Sequence, residues 1–380
     1  MNDNPFSSSS SIIDVLQNSD AKDFPPAHME KSYFERYKEL NHIFSQYPVE
    51  LGAMKTEIEQ WIQELGVSLE EATKIADEQE RKTRIAELLS EDKIIFLNKH
   101  GPDHINKVQE KALELLTCFT GQYPSSYETF LLLCSISVHD IGNFYGRANH
   151  EKRIGPMLDS VCANVIDDSV ERRVIARIAG VHGGRINGNK DTISILKISD
   201  TINNFEVREQ MLAAIVRFAD ELADDSTRAV YPAMKANVLG SASEIYHVYS
   251  SKLHTVKLQQ NPITNTWKVV LRFEIDEDTA KKQYSKGAES IYLLDEIYVR
   301  TMKMESERRY CMRYLRPFCS IEAIDVVITI DHSDSVFEED IIKYTLEETG
   351  YPDQICTSIQ DIDDKLITGA ELAEKLSNRR

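Results

Sequence analysis

The spacing of apolar residues divides this chain into a helical N-terminal part and a C-terminal part that contains strands. From residue 33 to about residue 97, apolar side chains recur at intervals of three and four, the period of an amphipathic helix. The same period continues to about residue 235, where it predicts a compact all-helical domain. The helices predicted in this domain span residues 104–119, 127–141, 150–165, 168–182 and 206–223.

After residue 246 the pattern changes from helical to alternating. Residues 256–258 and 267–275 are predicted to be strands, because apolar side chains alternate with polar ones and turn-forming residues separate the two segments. A long amphipathic stretch at 279–314 predicts one helix, and residues 324–330 predict a third strand. This β-β-α-β order predicts a small α/β unit, in which we expect antiparallel strands packed against the long helix.

These patterns predict a mainly α protein, an all-helical bundle with a helical N-terminal prefix and a smaller C-terminal α/β unit. The predicted segments are a flexible tail at 1–32, the prefix at 33–90, the helical domain at 91–240, the α/β domain at 241–350 and a second tail at 351–380. Serine-rich and proline-containing sequence is the reason for expecting a flexible first tail. The prefix is expected to pack on the following domain or on a second copy, which would make a homodimer through the N-terminal helices.

Composition narrows the classes of partner. The chain has 62 acidic and 44 basic residues, a net charge of −18, which disfavours broad binding to nucleic acid. A small phosphorylated substrate is still compatible, since a bound divalent metal reverses the local field. The 6 cysteines form no Cys-x-x-Cys pair, and we find neither a membrane-spanning apolar stretch nor a signal peptide pattern. We therefore expect a cytoplasmic protein without a membrane partner.

Histidine and aspartate residues at or near the ends of the predicted helices form a candidate metal site. The six residues are His104, His139, Asp140, His150, His182 and Asp220. Helical bundles build metal centres from side chains that several helices direct into one core. Imidazole and carboxylate ligands suit manganese, iron, nickel or zinc, and a carboxylate at Asp140 can bridge two ions. The sequence therefore predicts two divalent metal ions per chain, of undetermined identity.

Basic residues close in sequence to these ligands are candidates for binding phosphate. Arg147, Arg185 and Arg228 each lie near a ligand, and Lys107 follows the first ligand histidine by three residues. A guanidinium group matches phosphate oxygens with two parallel hydrogen bonds. We expect Arg147, Arg185 and Lys107 to act in catalysis with Asp140, and the three arginines to bind substrate. The alternative is that they form surface ion pairs in an acidic protein.

The order His, His-Asp, His, His, Asp resembles the HD-domain superfamily of metal-dependent phosphohydrolases. The resemblance implies that the pair at 139–140 is the family signature and that His104 and Asp220 complete the first metal site. It also implies that His150 and His182 bind a second metal, with the aspartate of the signature pair as the bridge. The implied activity is hydrolysis of a phosphate ester, with a nucleotide as the favoured substrate, by attack of a hydroxide that bridges the two metals.

The sequence leaves subfamily and alternative activities open. The His-Asp-Ile-Gly segment is similar to the HD-GYP cyclic-dinucleotide phosphodiesterases, but Asn143 stands where those enzymes carry lysine. Gly183 follows His182 where they carry a second histidine. The same ligand order is also similar to di-iron oxygenases on the HD scaffold. A third alternative is a regulatory module in which the HD unit senses a ligand.

Overall fold

The computed structural model of the chain describes ten ranges, which are residues 4–7, 9–20, 31–47, 70–82, 101–145, 149–235, 244–286, 289–332, 339–348 and 358–378. Much of the predicted helical prefix, at 48–69 and 83–90, lies outside the described residues. Arg147, a candidate for catalysis and substrate binding, also lies outside them.

Two N-terminal helices pack on the body of the protein. They are α1, Ile12–Asp20, and α2, Tyr33–Ser45. Helix α1 falls in the predicted flexible tail, but Ile12 and Leu16 are buried in the core, so this part of the tail prediction is wrong. Apolar side chains at three- and four-residue spacing on α2, including Tyr37 and Leu40, are also buried. The apolar face of the described part of the prefix is therefore used within the chain.

The helical unit contains every helix predicted between residues 104 and 223. The helices are α3, Pro102–Thr117; α4, Ser126–Val138; α5, Ile154–Val161; α6, Ser169–Gly180; and α7, Glu209–Leu222. The main difference is at α5, which is preceded by a 3-10 turn at His150–Arg153. Helix α3 begins at Pro102, directly after Gly101, because proline is well suited to a first helical position.

Helix α4 is the centre of this unit. Every residue from Ser126 to Val138 is buried, as expected of a helix that is apolar on all sides and lies inside a domain. Its start is fixed by a capping box, in which Ser125 and Glu128 each accept a hydrogen bond from the backbone of the other. Helices α2, α6, α7 and α3 pack around it. A long apolar run thus places the residues that follow it at the middle of the molecule.

The connections around these helices contain short elements. They are 3-10 turns at Ile141–Tyr145, Ile193–Ile195 and Ser226–Arg228, strands β1, Asp200–Ile202, and β2, Phe205–Val207, and helices α8, Tyr231–Lys235, and α9, Glu244–Lys252. Strands β1 and β2 form a hairpin whose turn residues, Asn203 and Asn204, have φ of 51° and 68°. Asparagine tolerates this left-handed conformation better than most residues, which suits it to a two-residue hairpin turn.

The C-terminal unit is a mixed sheet with a long helix. Its elements are β3, Leu253–Gln260; β4, Trp267–Asp276; α10, Glu277–Lys281; β5, Gln283–Lys286; β6, Glu289–Tyr292; α11, Leu293–Leu315; β7, Ile321–Asp331; and β8, Glu339–Glu347. The sheet order is β3-β4-β7-β8. Strands β4 and β7 are parallel, and the other two pairs are antiparallel. The predicted antiparallel pairing is confirmed at β3 and β4. Strands β4 and β7 are parallel, because the connection through α11 returns the chain in the same direction.

The long helix of the C-terminal unit is shorter in the structure than the helix predicted at 279–314. Strands β5 and β6 form a hairpin, in which Tyr284 pairs with Ile291, and helix α11 begins only at Leu293. A seven-residue spacing between apolar side chains fits one face of a helix, and it also fits two residues paired across a hairpin. The helical period therefore extended the prediction through residues that pair as strands.

Helix α11 connects the sheet to the helical unit. It packs on α7 on one side and on β7 and β8 on another. The last helix, α12, Gly369–Ser377, packs on α10 and α11 and buries Leu372 and Leu376, although the sequence placed it in a tail. Among the described residues, no helix combines the length and apolar character needed to cross a membrane.

Candidate metal centre

The structure brings the six candidate ligands together in two trios at the end of α4. The first trio is His104, His139 and Asp220, and the second trio is Asp140, His150 and His182. Within each trio, one ligand atom from every residue lies within 4.8 Å of the others. Because residues 139 and 140 are adjacent in the chain and belong to different trios, the end of α4 joins the two groups.

The first trio is built by the helices α3, α4 and α7. His104 lies in the first turn of α3, His139 is the C-terminal cap of α4, and Asp220 lies in the last turn of α7. Asp220 Oδ1 is 3.1 Å from His104 Nε2 and 3.7 Å from His139 Nε2. Both histidine side chains are fully buried, and Asp220 keeps 27% of its side-chain exposure.

Backbone carbonyl groups set the orientation of two histidines. The Nδ1 atom of His139 lies 2.7 Å from the carbonyl oxygen of Ile136, and the Nδ1 atom of His182 lies 2.7 Å from that of Ala179. A carbonyl oxygen can only accept a hydrogen bond, so each Nδ1 carries the proton and donates. The Nε2 atom of each neutral ring then has a lone pair available to a metal. His139 Nε2 is buried and has no hydrogen-bond partner among the described residues.

The second trio lies in turns rather than in long helices. His150 opens a 3-10 turn after Asn149, whose φ is 54°, and His182 lies just beyond the end of α6. The Nε2 atoms of His150 and His182 are 3.2 Å apart. Because the ring of His182 already donates through Nδ1, its Nε2 lone pair faces the other imidazole nitrogen at this distance. A cation held by both nitrogens would stabilise this arrangement, so the donor set fits a metal ion.

Asp140 has one carboxylate oxygen directed to each trio. Its Oδ2 atom lies 3.4 Å from His139 Nε2, and its Oδ1 atom lies 3.3 Å from His150 Nε2. Asn143 Nδ2 donates a hydrogen bond of 2.9 Å to Oδ1 and thereby holds the carboxylate. This geometry is what a bridging carboxylate requires.

The charges of the first trio are strongly coupled. Burial opposes the charged form of His139, but the nearby carboxylates of Asp140 and Asp220 raise its pKa well above the ordinary value. Burial likewise opposes the charge on Asp220, yet the hydrogen bond with His104 and the nearby imidazole of His139 lower its pKa well below the ordinary value. Burial is also the main cause of a lowered pKa at His104, reinforced by Arg228. The carboxylates thus favour a positive charge at this position, as a metal ion would supply.

In the second trio, burial and, to a smaller extent, the neighbouring imidazoles of His139 and His150 together lower the pKa of His182 to about 4. His182 is therefore neutral at pH 7, the protonation state of a metal-binding imidazole.

The predicted basic residues differ in their surroundings. Lys107 Nζ forms ion pairs with Asp225 at 3.1 Å and with Glu110 at 3.2 Å. Arg228 follows the first trio in the chain, and its Nη1 is 3.8 Å from Asp224 Oδ1. It lies close enough to the first trio to lower the pKa of His104. Lys107 therefore has an ion-pairing role that the sequence offered only as an alternative.

Arg185 is exposed and lies in the wall of a cavity. Its Nη1 atom donates to the carbonyl oxygen of Gly188 at 2.8 Å. The same cavity is bounded by Glu151 and Gly183, which follow two ligands of the second trio in the chain. The structure therefore places Arg185 beside the segments that carry His150 and His182.

Three supporting residues were not recognised from the sequence as parts of the site. In the sequence Asn143 differs from the HD-GYP pattern, and in the structure it holds Asp140. Glu151 Oε2 lies 3.5 Å from His150 Nδ1, where a carboxylate can orient the ring. A Cβ atom added at Gly142 would lie 1.9 Å from the carbonyl oxygen of His150, so only glycine allows this close approach. The glycine in the His-Asp-Ile-Gly segment is the sequence feature that could have indicated this close approach.

One comparison with known proteins gives a match. The family model described as HD-CE matches residues 80–272, a segment that contains all six candidate ligands and continues through β3 into β4. No curated protein and no solved structure matches the chain significantly.

Proposed function

This chain belongs to the HD-CE family, which is related to the HD-domain proteins, and from that premise we propose that it is a metal-dependent phosphohydrolase. We propose phosphate esters as its substrates, with nucleotides favoured. The observation that supports this most directly is the carboxylate of Asp140, whose two oxygens lie 3.4 Å from His139 Nε2 and 3.3 Å from His150 Nε2. An aspartate between two sets of nitrogen ligands is suited to a dinuclear centre.

We assign one divalent ion to each trio, with Asp140 contributing to both. Imidazole and carboxylate ligands are compatible with manganese, iron, nickel or zinc. Two such ions, when bound, supply Lewis acidity toward the phosphate and an activated water for its hydrolysis.

The protein's own groups orient the ligands and bind the substrate. The carbonyl groups of Ile136 and Ala179 hold the rings of His139 and His182 with Nε2 directed inward. Burial of the first trio excludes bulk water from its histidines. Arg228 and Arg185 supply positive charge near the first and second trio, where a phosphate dianion would bind.

Elemental analysis combined with a panel of phosphate esters tests this proposal. We expect about two metal ions per chain and release of inorganic phosphate or a nucleoside monophosphate, with equal rates in air and under anaerobic conditions. Product formation that stops without oxygen would contradict hydrolysis and support the di-iron oxygenase alternative. Metal-loaded protein that acts on no ester would instead support the ligand-sensing alternative.

The role of Arg185 is tested by Arg185→Ala. Loss of a charge-assisted hydrogen bond to phosphate should lower kcat/KM by about 10- to 100-fold without changing metal content. Arg173→Ala is the matched control, because Arg173 is also exposed and bonds only to the carbonyl oxygen of Ser169 among the described residues. Equal kcat/KM for the two variants would exclude Arg185 as the phosphate ligand and direct the test to Arg228 and Arg147.

A further inference from the structure

A cavity of about 200 Å³ lies beside the second trio. Glu151, which follows His150, and Gly183, which follows His182, are both in its wall. Glu151 also approaches the trio directly, since its Oε2 atom is 3.5 Å from His150 Nδ1. The cavity and the second trio therefore share a wall.

The rest of the wall is mainly apolar. It includes Ala176, Val181, Ile195 and Leu196. Ile195 keeps 61% of its surface exposed, although it faces a concave site where an apolar ligand group could cover it. Apolar walls with a few polar groups are typical of sites for small molecules.

Two cations in the same wall form no ion pair among the described residues. Lys152 Nζ bonds to Asn149 Oδ1 at 2.8 Å, and Arg185 Nη1 bonds to the carbonyl oxygen of Gly188. Arg177, also in the wall, is by contrast neutralised by Glu209, with an Nη2–Oε1 distance of 2.5 Å. In a chain with a net charge of −18, cations that face a cavity without an acidic partner are available to an anionic ligand.

We propose that this cavity binds the organic group of the substrate. The substrate class is a phosphate ester whose organic part carries a compact apolar group, either aliphatic or a flat ring such as the base of a nucleotide. The apolar group occupies the cavity, and the phosphoryl group lies toward the second trio, next to Lys152 and Arg185. This inference rests on the proposed phosphohydrolase function and specifies its substrate.

Binding of n-alkyl phosphonates, from methyl to hexyl, tests the subsite separately from catalysis. Calorimetry with the metal-loaded protein should show affinity rising by about two- to fourfold for each added methylene until the cavity is full. The kcat/KM values for the matching n-alkyl phosphates should rise in the same order. An affinity that does not depend on chain length would overturn the subsite.

Two exposed isoleucines provide a matched pair of variants. Ile195 lines the cavity, whereas Ile198 is 78% exposed and does not line it. Ile195→Ala should lower the hexyl-to-methyl affinity ratio by about three- to tenfold, and Ile198→Ala should leave that ratio unchanged. Equal ratios in the two variants would reject the assignment of Ile195.

A third variant fills the cavity. A Cβ atom at Gly183 would meet no atom within 4 Å, so the backbone can accommodate Gly183→Phe. Because Gly183 lines the cavity, we expect the phenyl ring to occupy it and to abolish the dependence of affinity on chain length. Metal analysis of this variant checks that the adjacent His182 is undisturbed. If phosphonate affinity depends on chain length but no phosphate ester is hydrolysed, the subsite is retained and the proposed function is rejected. If phosphate esters are hydrolysed but affinity does not depend on chain length, the proposed function is retained and the subsite is rejected.

Discussion

The two trios differ in how the fold supports their ligands. The first trio uses three long helices, and both of its histidine side chains are completely buried. The second trio takes His150 and His182 from turns, and their side chains keep 16% and 6% exposure. Packed helices hold the two histidines of the first trio rigidly, whereas the turns that carry His150 and His182 leave room for a ligand to approach. We therefore infer that the first trio anchors the centre and the second trio faces the substrate.

The strongest test of this comparison removes Asp140, the member of the second trio that also has a carboxylate oxygen directed to the first trio. Asp140→Ala should remove both ions and lower hydrolysis by more than about 1,000-fold, because no other carboxylate among the described residues is directed to both sets of nitrogen atoms. Elemental analysis and activity measurements check this. Asp159→Ala is a control, since Asp159 is exposed and pairs with Arg172 on the surface. Full occupancy in Asp140→Ala would show that the trios do not share a ligand.

A second test separates the two trios. His139→Ala should lose the first ion, whereas His150→Ala should retain it and lose only the second. Each variant should lose at least about 100-fold in activity, but only His139→Ala should also destabilise the protein, since it removes a fully buried side chain. Metal content per chain and thermal denaturation distinguish them. Identical metal loss and identical Tm in the two variants would contradict the division into an anchoring and a substrate-facing trio.

The smallest expected effect concerns the hydrogen bond that holds Asp140. Asn143→Ala removes the 2.9 Å bond to Oδ1, the oxygen directed to the second trio. Residues that hydrogen-bond to a metal ligand change metal affinity by about 10- to 100-fold. We expect Asn143→Ala to lower the affinity for the second ion alone. Metal titration at increasing chelator concentration measures the two affinities separately. A weakened first ion with an unchanged second ion would reverse the assignment of the carboxylate oxygens.

The sequence determined the helical unit well because its signals are local. The apolar run before His139 predicted α4, and three- and four-residue spacing predicted the other helices to within a few residues, except at α5. The ligand candidates could be selected because histidine and aspartate recur at the helix ends. Their chemistry is a property of residue type, and their order along the chain carries the family resemblance.

The sequence alone could not distinguish the hairpin at 283–292 from a helix, and it did not show that β4 and β7 are parallel. The hairpin pairs residues whose seven-residue spacing also fits one face of a helix, so periodicity does not separate the two structures. The pairing of β4 with β7 joins residues distant in the chain, which periodicity does not record. It also gave no reason to expect α1 to pack on the core.

Only the tertiary structure decided how the ligands are oriented. Adjacent residues at 139 and 140 belong to different trios, because α4 ends there and the chain turns between them. The carbonyl oxygens that hold the two histidine rings are set by helix ends, and the His150 segment reaches the signature pair through the space left at Gly142. Residue type supplied the donor atoms, whereas the packing of separate helices and turns fixed the direction in which each donor points.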